Sequence, residues 1–137
     1  MKFILDCSVT MAWLFEDEQT PYTEKILKQL TQHAKAVVPS LWNIEVNNVL
    51  LVAERRHRIT VAQTQHFWEI LHQLPIDIEY QRNDQSRESV LNLARQYQLS
   101  AYDATYLDLA IRLNFPLASL DKALLKAAEQ AGVTKVS

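Results

Sequence analysis

The chain has 137 residues, 48% of them hydrophobic, a length expected to form one domain, 1–137, with a core that needs no staple. Its net charge of −2 does not advertise a polyanion binder in bulk, although a local basic patch beside an acidic site would cancel in the sum. One cysteine, Cys7, excludes an internal disulfide framework. Gly132, the single glycine, excludes the glycine-rich phosphate loops of nucleotide-binding folds.

Lys2 to Asp6 is expected to be a short buried strand ending in a carboxylate. Only three apolar residues stand between Lys2 and Asp6, so this is no secretory signal, and no run approaches the roughly 20 apolar residues of a membrane span. A cytoplasmic protein without a membrane partner is the expectation. Ser8 is expected to cap a helix to about Phe15, with Glu16, Asp17 and Glu18 as an acidic loop. Thr20-Pro21 opens a helix to about Ala34, and Ala36 to Val38 read as a strand stopped by Pro39. Ser40 is expected to cap a helix from Leu41 to about His57. Thr60 caps another, with Phe67, Ile70, Leu71 and Leu74 facing the core and Pro75 ending it.

Ile76, Ile78 and Tyr80 alternate with Asp77 and Glu79, the pattern of a strand with one wet face. A helix from Asp84 to Gln98 follows through Val90, Leu91 and Ala94. Ser100 caps a helix across Ala101 to Leu113. Leu117 to Leu120 reads as a strand ending at Asp121, Lys122 to Ala131 as a helix closed by Gly132, and Val133 to Val136 as a last strand. Strands alternating with helices predict an α/β fold in three layers, α/β/α, around a parallel sheet of four or five strands.

Asp6 and Asp121 share a position: each ends a short apolar strand and precedes a helix. In open parallel sheets, sites form at the carboxyl ends of strands. Glu45 and Asp103 lie early in helices and share a face with Val49 and Leu107 respectively. A carboxylate on a core-facing stripe needs a cation or a hydrogen-bond donor. Taken singly, each has a structural reading. Asp6 caps the next helix, Glu45 is a capping-type residue, and Asp103 completes a capping box with Ser100. Gathered together, they repel by about 4 kcal/mol per pair at about 4 Å and an effective dielectric near 20. A divalent cation removes that conflict, and an oxygen-only donor set suits Mg²⁺ or Mn²⁺. Zinc is disfavoured, because His33, His57, His66 and His72 show no ligand spacing and there is no cysteine pair.

At these residues the segments FILDCSVTMAWLF, VPSLWNIEVNNVLLVAERRHRIT and LSAYDATYLDLAIRLNFPLASLD, with the terminal GV, resemble the PIN-domain family, and within it the VapC-like toxin ribonucleases of prokaryotic type II toxin–antitoxin pairs. The AYDATYLDLA segment followed by ASLD is the most specific part. The resemblance implies a PIN-like fold and Mg²⁺- or Mn²⁺-dependent endonucleolytic hydrolysis of RNA. It puts catalytic and metal-binding roles on Asp6, Glu45, Asp103 and Asp121, with Ser8 in support. It also implies a homodimer and a small cognate antitoxin. One departure is that Ala123 and Leu124 stand where some members carry a further acidic residue, so a second metal would be less well furnished. Alternatives are an RNA-processing PIN nuclease without an antitoxin and a non-catalytic PIN-like scaffold. A phosphoacceptor signalling domain is disfavoured, because Cys7 follows Asp6 and Asp121 stands where a lysine is wanted.

Other residues have readings of both kinds. Arg55, Arg56 and Arg58, with His57, are either RNA-phosphate ligands or cations favoured at a helix C-terminus. Tyr102 and Tyr106 read as core or dimer contacts before base-stacking platforms, and Asp108 as solvated. Trp13, Trp42 and Trp68 read as core or interface residues. With Phe15 they are more apolar load than one small core easily hides, which points to a dimer.

Overall fold

The computed structural model describes residues 1–80 and 84–137, the side chains of 84 and 85 excepted. Its strands are β1 (Lys2–Leu5), β2 (Lys35–Pro39), β3 (Ile76–Glu79) and β4 (Leu117–Ala118), all parallel, in the order β3-β2-β1-β4. Between them run α1 (Cys7–Ala12), a 3₁₀ turn at Glu16–Glu18, α2 (Pro21–Gln32), α3 (Leu41–Arg55), α4 (Val61–His72), α5 (Asp84–Tyr97), α6 (Ala101–Leu113) and α7 (Lys122–Gln130). Successive side chains of a strand point to opposite faces. Phe3, Ile4 and Leu5 are all fully buried, so helices cover both faces of β1, which is the expected three-layer α/β arrangement. No described helix is long and apolar enough to cross a membrane.

The topology decides where a site can form. From β1 the chain moves outward to β2 and β3, then returns to place β4 on the other flank of β1. The loops leaving β1 and β4 therefore diverge to opposite sides, and the crevice between them opens at the carboxyl ends of those two strands. The Asp6 amide still donates to the Ala118 carbonyl at 3.0 Å, which locks the two strand exits side by side.

Local signals behaved according to their chemistry. Thr20 and Thr60 each form a reciprocal capping box, with Thr23 and Gln63, and the Ser100 hydroxyl accepts from the Asp103 amide. Ser8 and Ser40 do not cap. Ser8 lies inside α1, whose N-cap is Asp6, and its hydroxyl is drawn to the Asp6 carboxylate. Ser40 is in the αR conformation and makes no side-chain capping bond. α1 stops at Ala12 rather than near Phe15, and the acidic segment winds into the 3₁₀ turn.

The fourth strand is only two residues long, and the expected last strand is a single bridge, Leu117 to Lys135. Ile70, Leu91 and Tyr80 are exposed, so the apolar stripes of α4 and α5 are narrower than their periodicity implies, and β3 ends before Tyr80. Phe15 and Trp42 are buried, and Trp13 and Trp68 are partly buried against the core, so one core takes up most of that aromatic load. Asp108 is buried rather than solvated, with its Oδ2 accepting from the Arg112 Nε one turn on at 3.0 Å.

Candidate active site

Asp6 sits where β1 ends. The residue is 6% exposed, and its Oδ2 accepts hydrogen bonds from the Ser8 and Ser119 hydroxyls, both at 2.7 Å. Those hydroxyls are themselves anchored from the β4 side. Ser8 Oγ accepts from the Leu120 amide and Ser119 Oγ from the Asp121 amide, both at 3.0 Å. Two serines thus stitch the exits of β1 and β4 together around one carboxylate oxygen. Asp121 caps α7, its Oδ1 accepting from the Leu124 amide at 3.0 Å.

Glu45 enters from α3. It lies more than a turn inside the helix, so it is not a capping residue. Its Oε1 instead accepts from the hydroxyl of the fully buried Tyr106 at 2.6 Å. Asp103 enters from the first turn of α6. Its amide is capped by Ser100, while its carboxyl lies close to that of Asp121, so the structural reading of a reciprocal box with Ser100 does not describe its side chain.

The electrostatics tie the four acids together. Burial pushes Asp103 up to about 6, helped by the Asp121 and Asp6 charges and by the closeness of the Asp121 carboxyl. Burial also holds Asp6 above its ordinary range, and Asp121 adds to this, while its two serine donors and the Cys7 amide pull the other way. Glu45 is raised by burial first, then by Asp6 and Asp103, against the Tyr106 hydrogen bond. Cys7 is buried among these charges and its thiol is pushed up, which makes it an inert filler and no nucleophile. Among the described residues no cation is paired with any of the four acids. Nor is any group of three or more Asp, Glu, His or Cys side chains disposed, as it stands, to hold a metal ion.

A PIN-domain family model matches residues 3–130. The chain belongs to the PIN-domain family. PIN domains are generally nucleases. No curated protein sequence matches the chain. Among solved structures, PAE2754 from Pyrobaculum aerophilum is similar over 99% of this chain and 84% of its own, at 21% identity and a TM-score of 0.75. VapBC2 from Rickettsia felis, bound to a DNA fragment from its promoter, is similar over 99% and 98%, at 12% identity and 0.71. A toxin–antitoxin complex from Klebsiella pneumoniae is similar over 87% and 86%, at 17% identity and 0.61. At these identities the likeness is one of fold.

Within this PIN domain the structure couples Asp6, Glu45, Asp103 and Asp121 and adds Ser8. It does not bring the arginines there. Arg55 lies ten residues beyond Glu45 on α3, about 15 Å along the axis. Arg58 is engaged with Asp17 at 3.1 Å and lies 4.1 Å over the Phe15 ring. Ser119 and Tyr106 were missed. Each had a signal: Ser119 precedes Asp121 by two as Ser8 follows Asp6 by two, and Tyr106 is one turn past Asp103 on the buried side of α6.

Proposed function

We propose that this PIN domain is a divalent-metal-dependent endoribonuclease that hydrolyses RNA phosphodiester bonds, and that it acts as the toxin of a toxin–antitoxin pair. The observation that carries the reading is the coupling of four acids, from four separate segments, at the β1–β4 crevice, with no cation paired to them among the described residues. Acids whose proton affinity is raised by burial and by one another suit a hard divalent cation in the proton's place, and every donor is oxygen. The fit is one of chemistry and charge, because no three donors are yet arranged around one point among the described residues. The alternative of a non-catalytic scaffold gives no reason for the four acids to be kept together, and the experiment below decides between the two.

Asp6, Asp103 and Asp121 are the residues to hold Mg²⁺ or Mn²⁺, directly or through water. A bound ion supplies neutralisation of the phosphate charge and a more acidic water. Glu45 ligates or orients the attacking water. Tyr106 fixes the Glu45 carboxylate, and Ser8 and Ser119 fix that of Asp6. Attack by water leaves 5′-phosphate and 3′-hydroxyl ends. RNA incubated with the protein should be cut in Mg²⁺ or Mn²⁺ and left whole in excess chelator, and Asp6→Asn should abolish cutting. Undiminished cutting in chelator, or by Asp6→Asn, refutes the reading.

The partner side of the proposal starts from the similar toxin–antitoxin complexes. An antitoxin would deliver an arginine into the acidic crevice, forming bidentate bonds with its carboxylates. An apolar groove of about 280 Å³ between α1, α2 and α4, lined by Trp13, Leu14, Leu27, Phe67 and Ile70, would take the apolar face of its helix. Co-expression with the adjacent reading frame should yield a complex. If none forms, and expression alone leaves growth unaffected, an RNA-processing nuclease without an antitoxin becomes the better reading.

A further inference from the structure

A second groove, of about 610 Å³, runs along α7 between the helix and the chain's last segment. Lys122, Leu125, Lys126 and Glu129 recur at helical spacing, so they form one continuous face of α7. Lys135 faces them from the terminal segment, its ammonium 4.3 Å over the Tyr22 ring. Three lysines against one glutamate make this groove locally basic on a chain whose net charge is −2. Among the described residues neither Lys122 nor Lys126 is in an ion pair, and both are exposed.

The first lining residue of the groove stands one position past an acid of the crevice. Lys122 directly follows Asp121, whose carboxylate caps the same helix. A cluster of carboxylates repels the phosphates of any strand that approaches it, so a strand entering the crevice needs cations close by. The arginines at the end of α3 are too far along that helix, and Arg58 is already paired. The α7 lysines follow one line, about 6 Å apart per helical turn, which suits the phosphates of a single strand. Leu125 and Val133 supply an apolar floor between the charges.

We propose that the α7 groove holds the backbone phosphates of a single RNA strand on one side of the scissile bond. The proposal rests on the ribonuclease reading above, so its test separates binding from cutting. In the non-cutting Asp6→Asn protein with Mg²⁺, fluorescence anisotropy follows a labelled single-stranded RNA across a salt series. Lys122→Gln with Lys126→Gln should weaken binding several-fold to about tenfold at low salt. It should also flatten the slope of log K against log salt by about 1.4, roughly 0.7 for each single-strand phosphate that the two lysines no longer neutralise. Glu129→Gln, which removes the one carboxylate among the described lining residues, should tighten binding without touching a lysine. Affinity and slope unchanged in both variants overturn the proposal. So does a loss confined to duplex DNA with RNA binding intact, since that gives the groove to another nucleic acid. Lysine-dependent RNA binding with no cutting by the unaltered protein would uphold the groove and refute the nuclease reading instead.

Discussion

Replacing Asp103 by asparagine removes a charge that burial, Asp121 and Asp6 all oppose, and the effect on stability can be worked out with its sign. The gap between the ordinary 3.8 and the value of about 6 is worth about 3 kcal/mol in full. The side chain is only half-buried, so solvent screening cuts this to about 1.5 kcal/mol. Losing an anion from the first turn of α6 gives back about 0.5 kcal/mol, leaving a net gain of about 1 kcal/mol. An acid held above its ordinary value binds more protons folded than unfolded. Its favourable contribution is whole below 3.8 and is lost as pH rises through about 6. Asparagine never ionises and loses nothing over that window. In chelator, Asp103→Asn should therefore be more stable than the parent by about 1 kcal/mol near pH 8, about 3–5 °C in Tm, and no more stable near pH 4.

Saturating Mg²⁺ should reverse the order, because an ion that binds only the folded parent stabilises only the parent. RNA cutting should vanish at every pH. Urea denaturation at the two pH values, with and without Mg²⁺, reads all of this. A variant no more stable than the parent near neutral pH, or equally stabilised at both, would show that Asp103 is not opposed by its neighbours. Parental turnover would remove it from the site.

Three further outcomes follow from the same geometry. Ser119→Ala leaves the buried Asp6 carboxylate with one hydroxyl donor. It should cost about 1–3 kcal/mol of stability near neutral pH, lower cutting at least tenfold, and move the acid limb of the pH–rate profile upward. Tyr106→Phe keeps the buried ring but leaves Glu45 without its donor. It should lower kcat with KM unchanged, and raise the pH at which the Glu45-dependent limb falls off. Ile44 and Leu51 stay exposed two turns apart on one face of α3, so we expect a homodimer, and light scattering should return twice 15.9 kDa. A monomer mass at micromolar concentration would refute that expectation.

The readable part of this fold was the part set by local rules and long periodicity. Thr20-Pro21 and Thr60 mark helix starts because a hydroxyl followed by the right N3 partner has one good use, and both form their boxes. Ser8 offers the same signal but has a stronger competitor within reach. A hydroxyl next to a buried carboxylate donates to the charge before it caps a helix, and only tertiary structure reveals that the carboxylate is buried. The shortness of β4 and the collapse of the last strand to one bridge were equally invisible, since strand length at a sheet edge depends on partners that sequence does not supply. Asp108 reads as solvated because a carboxylate normally seeks water. Past its first turn α6 is buried on nearly every side, and Arg112 meets the charge one turn later.

The acids were legible because each stands at a strand exit or on an apolar helix stripe. Their supports were not, because hydroxyls carry no charge pattern to find. Yet the supports explain how such a cluster is tolerated. A buried carboxylate has to be protonated, paired with a cation, or supplied with donors. A lysine or arginine at Asp6 would neutralise it and close the position to a metal. Two serines and a backbone amide oppose the pull of burial while leaving the net charge in place. Tyr106 does the same for Glu45. Neutral donors are thus a form of support that keeps these acids folded in the crevice and leaves them open to the divalent ion proposed above. On that reasoning Ser119→Thr, which keeps the hydroxyl donor, should retain the response to Mg²⁺ in both stability and cutting, and Ser119→Ala, which removes it, should weaken both.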